Sequence, residues 1–348
     1  MAYTTIDDPT IYFNTVTWTG DGSSSRNITG VGFQPDWVWG KCRNTTVSHA
    51  LYDSVRGGSK LINSNTTSAE GTNAALSAFV SDGFSVNSDS YFNGNSNTYV
   101  AWNWKAGTSF SNDASATGVG TIDSTGSVNT TAGFSIISYT GTGSAGTIAH
   151  GLGAVPAWII TKTRSTAQPW RVYHKALGET FGMILNDSSV KDDDNTAWND
   201  TAPTSSVFSV GTSANTNGSG STFIAYCFAE KKGYSKFGSF TGNSNADGTF
   251  VFCGFRPAWI LVRNVEISEG FWVINDNKRN TFNPNSNTLV AQNNNSEDAG
   301  TDRTDFLSNG FKLRTTSGAW NGSGNKIIYM AFAESPFVNS NGVPNNAR

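Results

Sequence analysis

Phe33-Gln34-Pro35-Asp36-Trp37-Val38, Val155-Pro156-Ala157-Trp158-Ile159 and Phe255-Arg256-Pro257-Ala258-Trp259-Ile260 are three versions of one element, apolar-Pro-x-Trp-aliphatic, and their recurrence decides how the chain is read. The prolines lie 121 and 101 residues apart, which is the spacing of domains and far longer than a solenoid repeat. Pro35, Trp37, Pro156, Trp158, Pro257 and Trp259 are therefore taken as core anchors of three copies of one unit. Upstream of each anchor stands an aromatic-Thr-Gly turn: Trp18-Thr19-Gly20, Tyr139-Thr140-Gly141, Phe240-Thr241-Gly242. Each copy closes on an aromatic strand, Tyr99 to Trp104, Phe223 to Phe228 and Ile328 to Ala333, in which small residues alternate with rings. Strict alternation of that kind belongs to a strand whose two faces pack differently.

Hairpins are expected at Ser81-Asp82-Gly83 and Ser308-Asn309-Gly310, with Asp-Gly and Asn-Gly as type I′ corners. The middle copy has Val207-Phe208-Ser209-Val210 at that place, without the turn signal. A second aromatic strand follows the anchor, as in Trp170-Arg171-Val172-Tyr173 and Phe271-Trp272-Val273-Ile274. The expected fold is all-β: three tandem β-sandwich domains, jelly-roll or concanavalin-like. The boundaries read as 1–106 with an N-terminal arm, a Gly/Ser/Thr linker over 107–131, then 132–232, and 233–348 with a loose C-terminal tail.

Composition agrees with strands and tight turns. Of the 348 residues 37% are hydrophobic and only 14% charged, so Ser, Thr, Asn and Gly must supply the polar surface. Those residues are poor helix formers. The net charge of −3, without any Lys/Arg run, argues against nucleic acid as a partner. The start Met1-Ala2-Tyr3-Thr4-Thr5-Ile6-Asp7-Asp8-Pro9 has neither a basic nor an apolar core, so no signal peptide is read there. No apolar stretch approaches ~20 residues, so no membrane insertion is expected. Cys42, Cys227 and Cys253 lack CxxC spacing and read as isolated thiols, those at 227 and 253 buried in apolar runs.

Several strings, Tyr3-Thr4-Thr5-Ile6-Asp7-Asp8-Pro9, Ala149-His150-Gly151-Leu152-Gly153, Tyr226-Cys227-Phe228-Ala229-Glu230-Lys231-Lys232-Gly233 and Tyr329-Met330-Ala331-Phe332-Ala333-Glu334, carry a resemblance. Together they resemble a family of repeat-bearing proteins of marine bacteriophages, tail-fibre-like or virion structural, of undefined function. The resemblance covers nearly the whole chain and implies a virion location and a lectin-like sandwich. It supplies no catalytic residues.

Candidate chemistry is sparse. Gly141-Thr142-Gly143-Ser144-Ala145-Gly146 fits GxGxxG after an apolar strand, but no helix pattern follows and the other copies lose it, so it reads as a turn. His49, His150 and His174 occur in no HExxH, GxSxG or CxxC context and are assigned turn or surface roles. Asp187 and Asp192-Asp193-Asp194 lack the spacing of a calcium loop and read as a solvated acidic loop. Trp198 and Trp320 lie in polar loops and are the candidates for an exposed binding face, Trp320 beside Asn321-Gly322-Ser323-Gly324.

The expected function is non-enzymatic, with no cofactor and no metal. The chain is read as a virion structural protein, foremost a tail-fibre or receptor-binding adhesin. Its partners would be other virion proteins and a host-surface glycan or receptor. A homo-oligomer is expected, a trimer by analogy with phage appendages. Alternatives are a capsid decoration protein and a cell-wall glycosidase, whose carboxylate pair leaves no sequence signature.

Overall fold

A computed structural model of the chain describes residues 2–300 and 304–345. The fold is predominantly β. Each copy contributes one larger antiparallel sheet in which an opening strand, the closing strand, the Pro-Trp strand and a fourth strand lie side by side in that order. In copy one these are Phe13–Thr19, Thr98–Trp104, Trp37–Cys42 and Ala50–Asp53. In copy two they are Phe134–Thr140, Thr222–Phe228, Trp158–Thr163 and Arg171–His174. In copy three they are Ser235–Thr241, Lys326–Pro336, Phe255–Asn264 and Val273–Asp276. The register repeats as well: the anchor tryptophans pair Trp37↔Trp104, Trp158↔Phe228 and Trp259↔Phe332. On their other side they pair with Asp53, His174 and Asp276.

A smaller sheet covers one face of each larger one. It is built from Arg26–Ile28, Gly83–Val86 and Leu76–Val80 in copy one, and from Phe250–Phe252, Gly310–Leu313 and Thr304–Leu307 in copy three. Copy two uses just Gly146–Ala149 and Val207–Val210. The alternation of the closing strands now has a concrete meaning. Ala101, the set Phe223/Ala225/Cys227, and the set Ile327/Tyr329/Ala331 face the small sheet of their own copy. Val100/Trp102/Trp104, Ile224/Tyr226/Phe228 and Ile328/Met330/Phe332 face away from it, into a single core common to all three copies.

Each copy thus keeps a core between its two sheets, and the common core packs the three copies against one another. Trp104, Phe228 and Phe332, equivalent by register, form a triangle with ring centroids 5.6 to 6.4 Å apart. Trp37 of copy one stacks on Tyr226 of copy two at 4.3 Å, and Trp104 meets Trp259 of copy three edge-on at 5.6 Å. Both faces of each closing strand are thus buried, which is why these strands carry large apolar residues on both faces. Truncating one of these rings would cost roughly 3–5 kcal/mol. Cys42, Cys227 and Cys253 are all buried free thiols.

Residues 107–131 are not a linker. They form strands Thr108–Asn112 and Ser124–Asn129 around the short helix Ala114–Thr117, and both strands extend the main sheet of copy two beyond Phe134–Thr140. Small residues are required here by close packing: a Cβ on Gly126 would come within 1.9 Å of the Ile136 carbonyl oxygen. The C-terminal tail is also structured through Asn345, whose amide donates to the Phe337 carbonyl; its last residues, 346–348, lie outside the described residues.

The two hairpins form, shifted by one residue. Val80 pairs Gly83 and Leu307 pairs Gly310, so the corners are Ser81-Asp82 and Ser308-Asn309, and the glycines begin the second strands. The glycine is needed for space. A Cβ at Gly83 or Gly310 would lie 2.0 Å from the carbonyl oxygen of Ile28 or Val251 on the neighbouring strand.

Candidate functional site

Around the common core the copies meet at three equivalent seams, and the buried polar groups gather there. In each seam the end of a fourth strand faces the closing strand of the next copy. Asp53 accepts from the Tyr226 hydroxyl (2.7 Å), Asp276 accepts from the Trp102 indole (2.9 Å), and His174 Nε2 donates to the Tyr329 carbonyl (3.3 Å). The contacts run from copy one to two, two to three, and three back to one. They close a ring.

Two seams bury an Asp–Arg pair. Asp53 and Arg56 are fully buried, with Nε 2.5 Å from Oδ2, and Arg56 also reaches Glu70 at 3.4 Å. Glu70 in turn binds Arg164 of copy two through both oxygens, at 2.9 and 3.1 Å. Asp276 and Arg279 repeat this pair, and Glu297 bridges Arg279 to Arg43 of copy one. The i,i+3 spacing follows from a turn: the Arg56 and Arg279 amides each donate to the carboxylate three residues back. Burial would depress the Arg56 guanidinium, yet Asp53 and its neighbours hold it above its usual range. The carboxylates of Asp53 and Asp276 are thus occupied by structural donors.

None of the three histidines lies on the surface, since all are buried, while His150 and His174 do hold turns. His49 accepts from the Trp39 indole at Nδ1, which leaves Nε2 to donate to Val290 of copy three. His150 and His174 likewise accept a backbone amide at Nδ1. Burial pushes His150 down to about 4 and His174 down to about 3, so both are neutral imidazoles.

Trp198 and Trp320 are not exposed either. Each lies on a single helical turn, Asn195–Trp198 or Gly318–Asn321, that rolls the ring into its own copy's core, at 2% and 4% exposure. The helical turn is what the polar sequence around them concealed. In the acidic loop, Asp192 and Asp194 pair with the buried Arg171 at 2.8 and 3.1 Å. Among the described residues no group of three or more His, Cys, Asp or Glu side chains is gathered to hold a metal ion. No described helix is long and apolar enough to cross a membrane.

The GxGxxG string is a turn leading into the strand Gly146–Ala149. It is held by Asn217, whose Oδ1 accepts from Thr142 and whose Nδ2 donates to Ser144 and Gly211. Asn93 and Asn321 clamp the aromatic-Thr-Gly turns of the other copies in the same way. Sequence reading missed these asparagines. Their signal is an Asn-Gly pair six residues ahead of Tyr99, Phe223 and Ile327.

A loop that departs from the repeat lies in copy three. From the seam position to the next strand pairing, copy one runs Arg56 to Ile62 and copy two Leu177 to Met183, whereas copy three runs Arg279 to Leu289, four residues longer. The added segment presents Phe282, which is 81% exposed, the highest among the exposed large hydrophobic residues. Beside it is a cleft of about 480 Å³ lined by Arg256, Asn277, Lys278, Thr281 and Glu334. A second hollow of about 230 Å³ shares Asn277, Lys278 and Glu334 and runs on to Thr10 and Asn14 of copy one. Glu334 Oε2 accepts from Arg256 (2.7 Å) and Asn277 (3.0 Å). The loop is pinned: Asn283 exchanges two hydrogen bonds with the Phe306 backbone, and Asn285 pairs with Thr304. A rigid aromatic lip over a polar floor can bind a ligand with one flat apolar face and a hydrogen-bonding edge.

No curated protein matches the chain. A model of a family described as a domain of unknown function, DUF7483, matches residues 8–336, and the chain therefore belongs to that family.

Proposed function

We propose that the chain is a non-enzymatic structural protein of a bacteriophage virion, acting as a tail-fibre or receptor-binding adhesin. Each copy is read as a β-sandwich, its larger sheet over its smaller one, and three such units share a core to make one stiff block. The observation that carries the reading is how residues 3–7 and 107–131 are held. Ile6 is buried in the common core, the Tyr3 hydroxyl bonds to Gly254, and Asp7 accepts from the amide and hydroxyl of Ser340. A decoration protein that laces into its neighbours needs an extended arm, whereas an adhesin needs a rigid body that presents loops. The packing of residues 3–7 and 107–131 into the block favours the second. Its partners are then other virion proteins and a host-surface glycan, and three-fold self-association is the arrangement proposed for it in the particle.

Immunogold labelling with cryo-electron microscopy of purified particles tests this. Label at the tail tip is expected. Label over the capsid would transfer the protein to the decoration class, and absence from purified particles would sink the virion reading altogether.

A further inference from the structure

We infer that the cleft beneath Phe282 is a saccharide site, and that it takes an acidic sugar, one bearing carboxylate or sulfate groups. This rests on the adhesin reading for its biological setting, but its chemistry stands on four observations.

The first is the insertion itself. Copies one and two join the same two structural positions with four fewer residues, so the segment carrying Phe282 is not needed to complete the unit. The second is rigidity. Asn280 bonds to Ser286, Asn287 to the Arg279 carbonyl and Asn285 to the Asp276 carbonyl, in addition to the bonds to Phe306 and Thr304. A loop so tied holds its exposed ring in place before any ligand arrives, which lowers the entropy lost on binding.

The third observation is the pairing of chemistries. A pyranose offers an apolar C–H face and an equatorial rim of hydroxyls. Phe282 supplies a flat apolar partner for the face. Glu334, Asn277 and Thr281 supply acceptors and donors at the rim, and the Arg256–Glu334 pair fixes the carboxylate's direction at 2.7 Å. An apolar peptide would leave that floor without partners after desolvation.

The fourth is charge. Among the titratable groups lining the cleft, Arg256 and Glu334 neutralise each other. Lys278 is exposed and has no carboxylate within ion-pair distance among the described residues. The cleft is therefore left with one unbalanced positive charge. That charge lies between the Phe282 cleft and the hollow leading to Thr10 and Asn14, so an anionic group there is complemented and a neutral sugar leaves it unused. The combined groove has room for more than one sugar ring.

Isothermal titration of the full-length protein with mannuronate and galacturonate hexamers, beside neutral maltohexaose, tests the inference. The uronate hexamers are expected to bind at least about tenfold more tightly than maltohexaose, a margin of about 1.4 kcal/mol. Phe282→Ala should weaken every sugar that binds, and Lys278→Gln should erase the preference for the acidic ones. Both side chains are exposed, so thermal melting of the variants should match the parent. Uronate binding unchanged by Phe282→Ala, or no binding of either uronate hexamer, overturns the site; equal binding of acidic and neutral hexamers overturns its acidic preference. Labelled tail tips with no uronate binding would remove the cleft and leave the adhesin reading. Uronate binding by a protein absent from particles would do the reverse.

Discussion

The seam between copies one and two and the seam between copies two and three occupy the same place in the ring, yet they are built differently. The first buries Asp53, Arg56 and Tyr226 against one another and adds Glu70 and Arg164 at its edge. The second has His174, Leu177 and Met330 at the corresponding positions, and Val265 where copy two has Arg164. Its buried polar contacts are to backbone, His174 to Tyr329, Lys191 to Val265 and Arg263 to Ser189, and at its rim the Lys191 ammonium pairs with Glu266 at 2.5 Å. The ring closes with either solution. The charged cluster is one way to fill a seam whose geometry the aromatic core has already set, and a buried ion pair is by itself weak evidence of stability.

The largest effect should come from breaking a charged seam halfway. Arg56→Met leaves Asp53 buried without its guanidinium, and loss of one partner of a buried pair costs about 3–5 kcal/mol. Putting copy two's residues there instead, Asp53→His with Arg56→Leu, should cost well under half of that. Urea unfolding of both variants decides. If the double replacement unfolds as easily as Arg56→Met, the seams are not interchangeable and the comparison fails.

The seam between copies two and three is expected to sense acid through His174. His174 is pushed down to about 3 chiefly by burial; the bond to Tyr329 opposes this, and Lys175 and Lys326 reinforce it. Its folded pKa lies below the unfolded value of about 6.5, so the unfolded chain binds the extra proton. The stability this group contributes is therefore whole above about pH 6.5 and falls as pH drops toward 3, at up to about 1.4 kcal/mol per pH unit. His49 and His150 add slopes of the same sign. Urea midpoints at pH 7.5 and pH 5 should differ less in His174→Gln than in the parent. An equal difference would mean that this imidazole does not sense acid.

How much of this was legible in the sequence depends on what each residue answers to. The anchors and closing strands were readable because alternation is a local pattern, and Trp37, Trp158 and Trp259 fall at matching register. What the second face of those strands packs against was not readable. The same alternation serves a free-standing sandwich or a core shared among copies, and only long-range contacts such as Trp37 on Tyr226 choose between them. Asp53-x-x-Arg56 and Asp276-x-x-Arg279 do repeat in the sequence, but at 14% charge they look like surface pairs until their burial is known. The stretch 107–131 misled because glycine and serine serve tight strand packing as readily as flexibility, as Gly126 against Ile136 shows. Trp198 and Trp320 misled for a related reason: four helical residues leave no period to read. Phe282 stands outside the repeat, so its signal is a change of loop length, visible only once the copies are aligned by strand pairing.

The smallest expected effect lies at the rim of the charged seam. Arg164 is 23% exposed at its side chain and Glu70 12%, so water and salt screen the pair even though it is bidentate. Arg164→Gln should cost about 1 kcal/mol, and less in 0.5 M salt than in 0.05 M. The backbone bond from the Glu70 amide to the Arg164 carbonyl (2.8 Å) survives that substitution, as its counterpart from Lys191 to Val265 (3.2 Å) exists with valine in place of that arginine and a single Lys191–Glu266 contact at the rim. That correspondence makes the prediction sharp. If the rim pair merely decorates a seam that backbone and aromatic contacts hold, its loss is small and salt-dependent. A loss as large as that of Arg56→Met, indifferent to salt, would mean that Glu70 and Arg164 hold the buried cluster together, and the two seams would then differ in what holds them and not merely in what fills them.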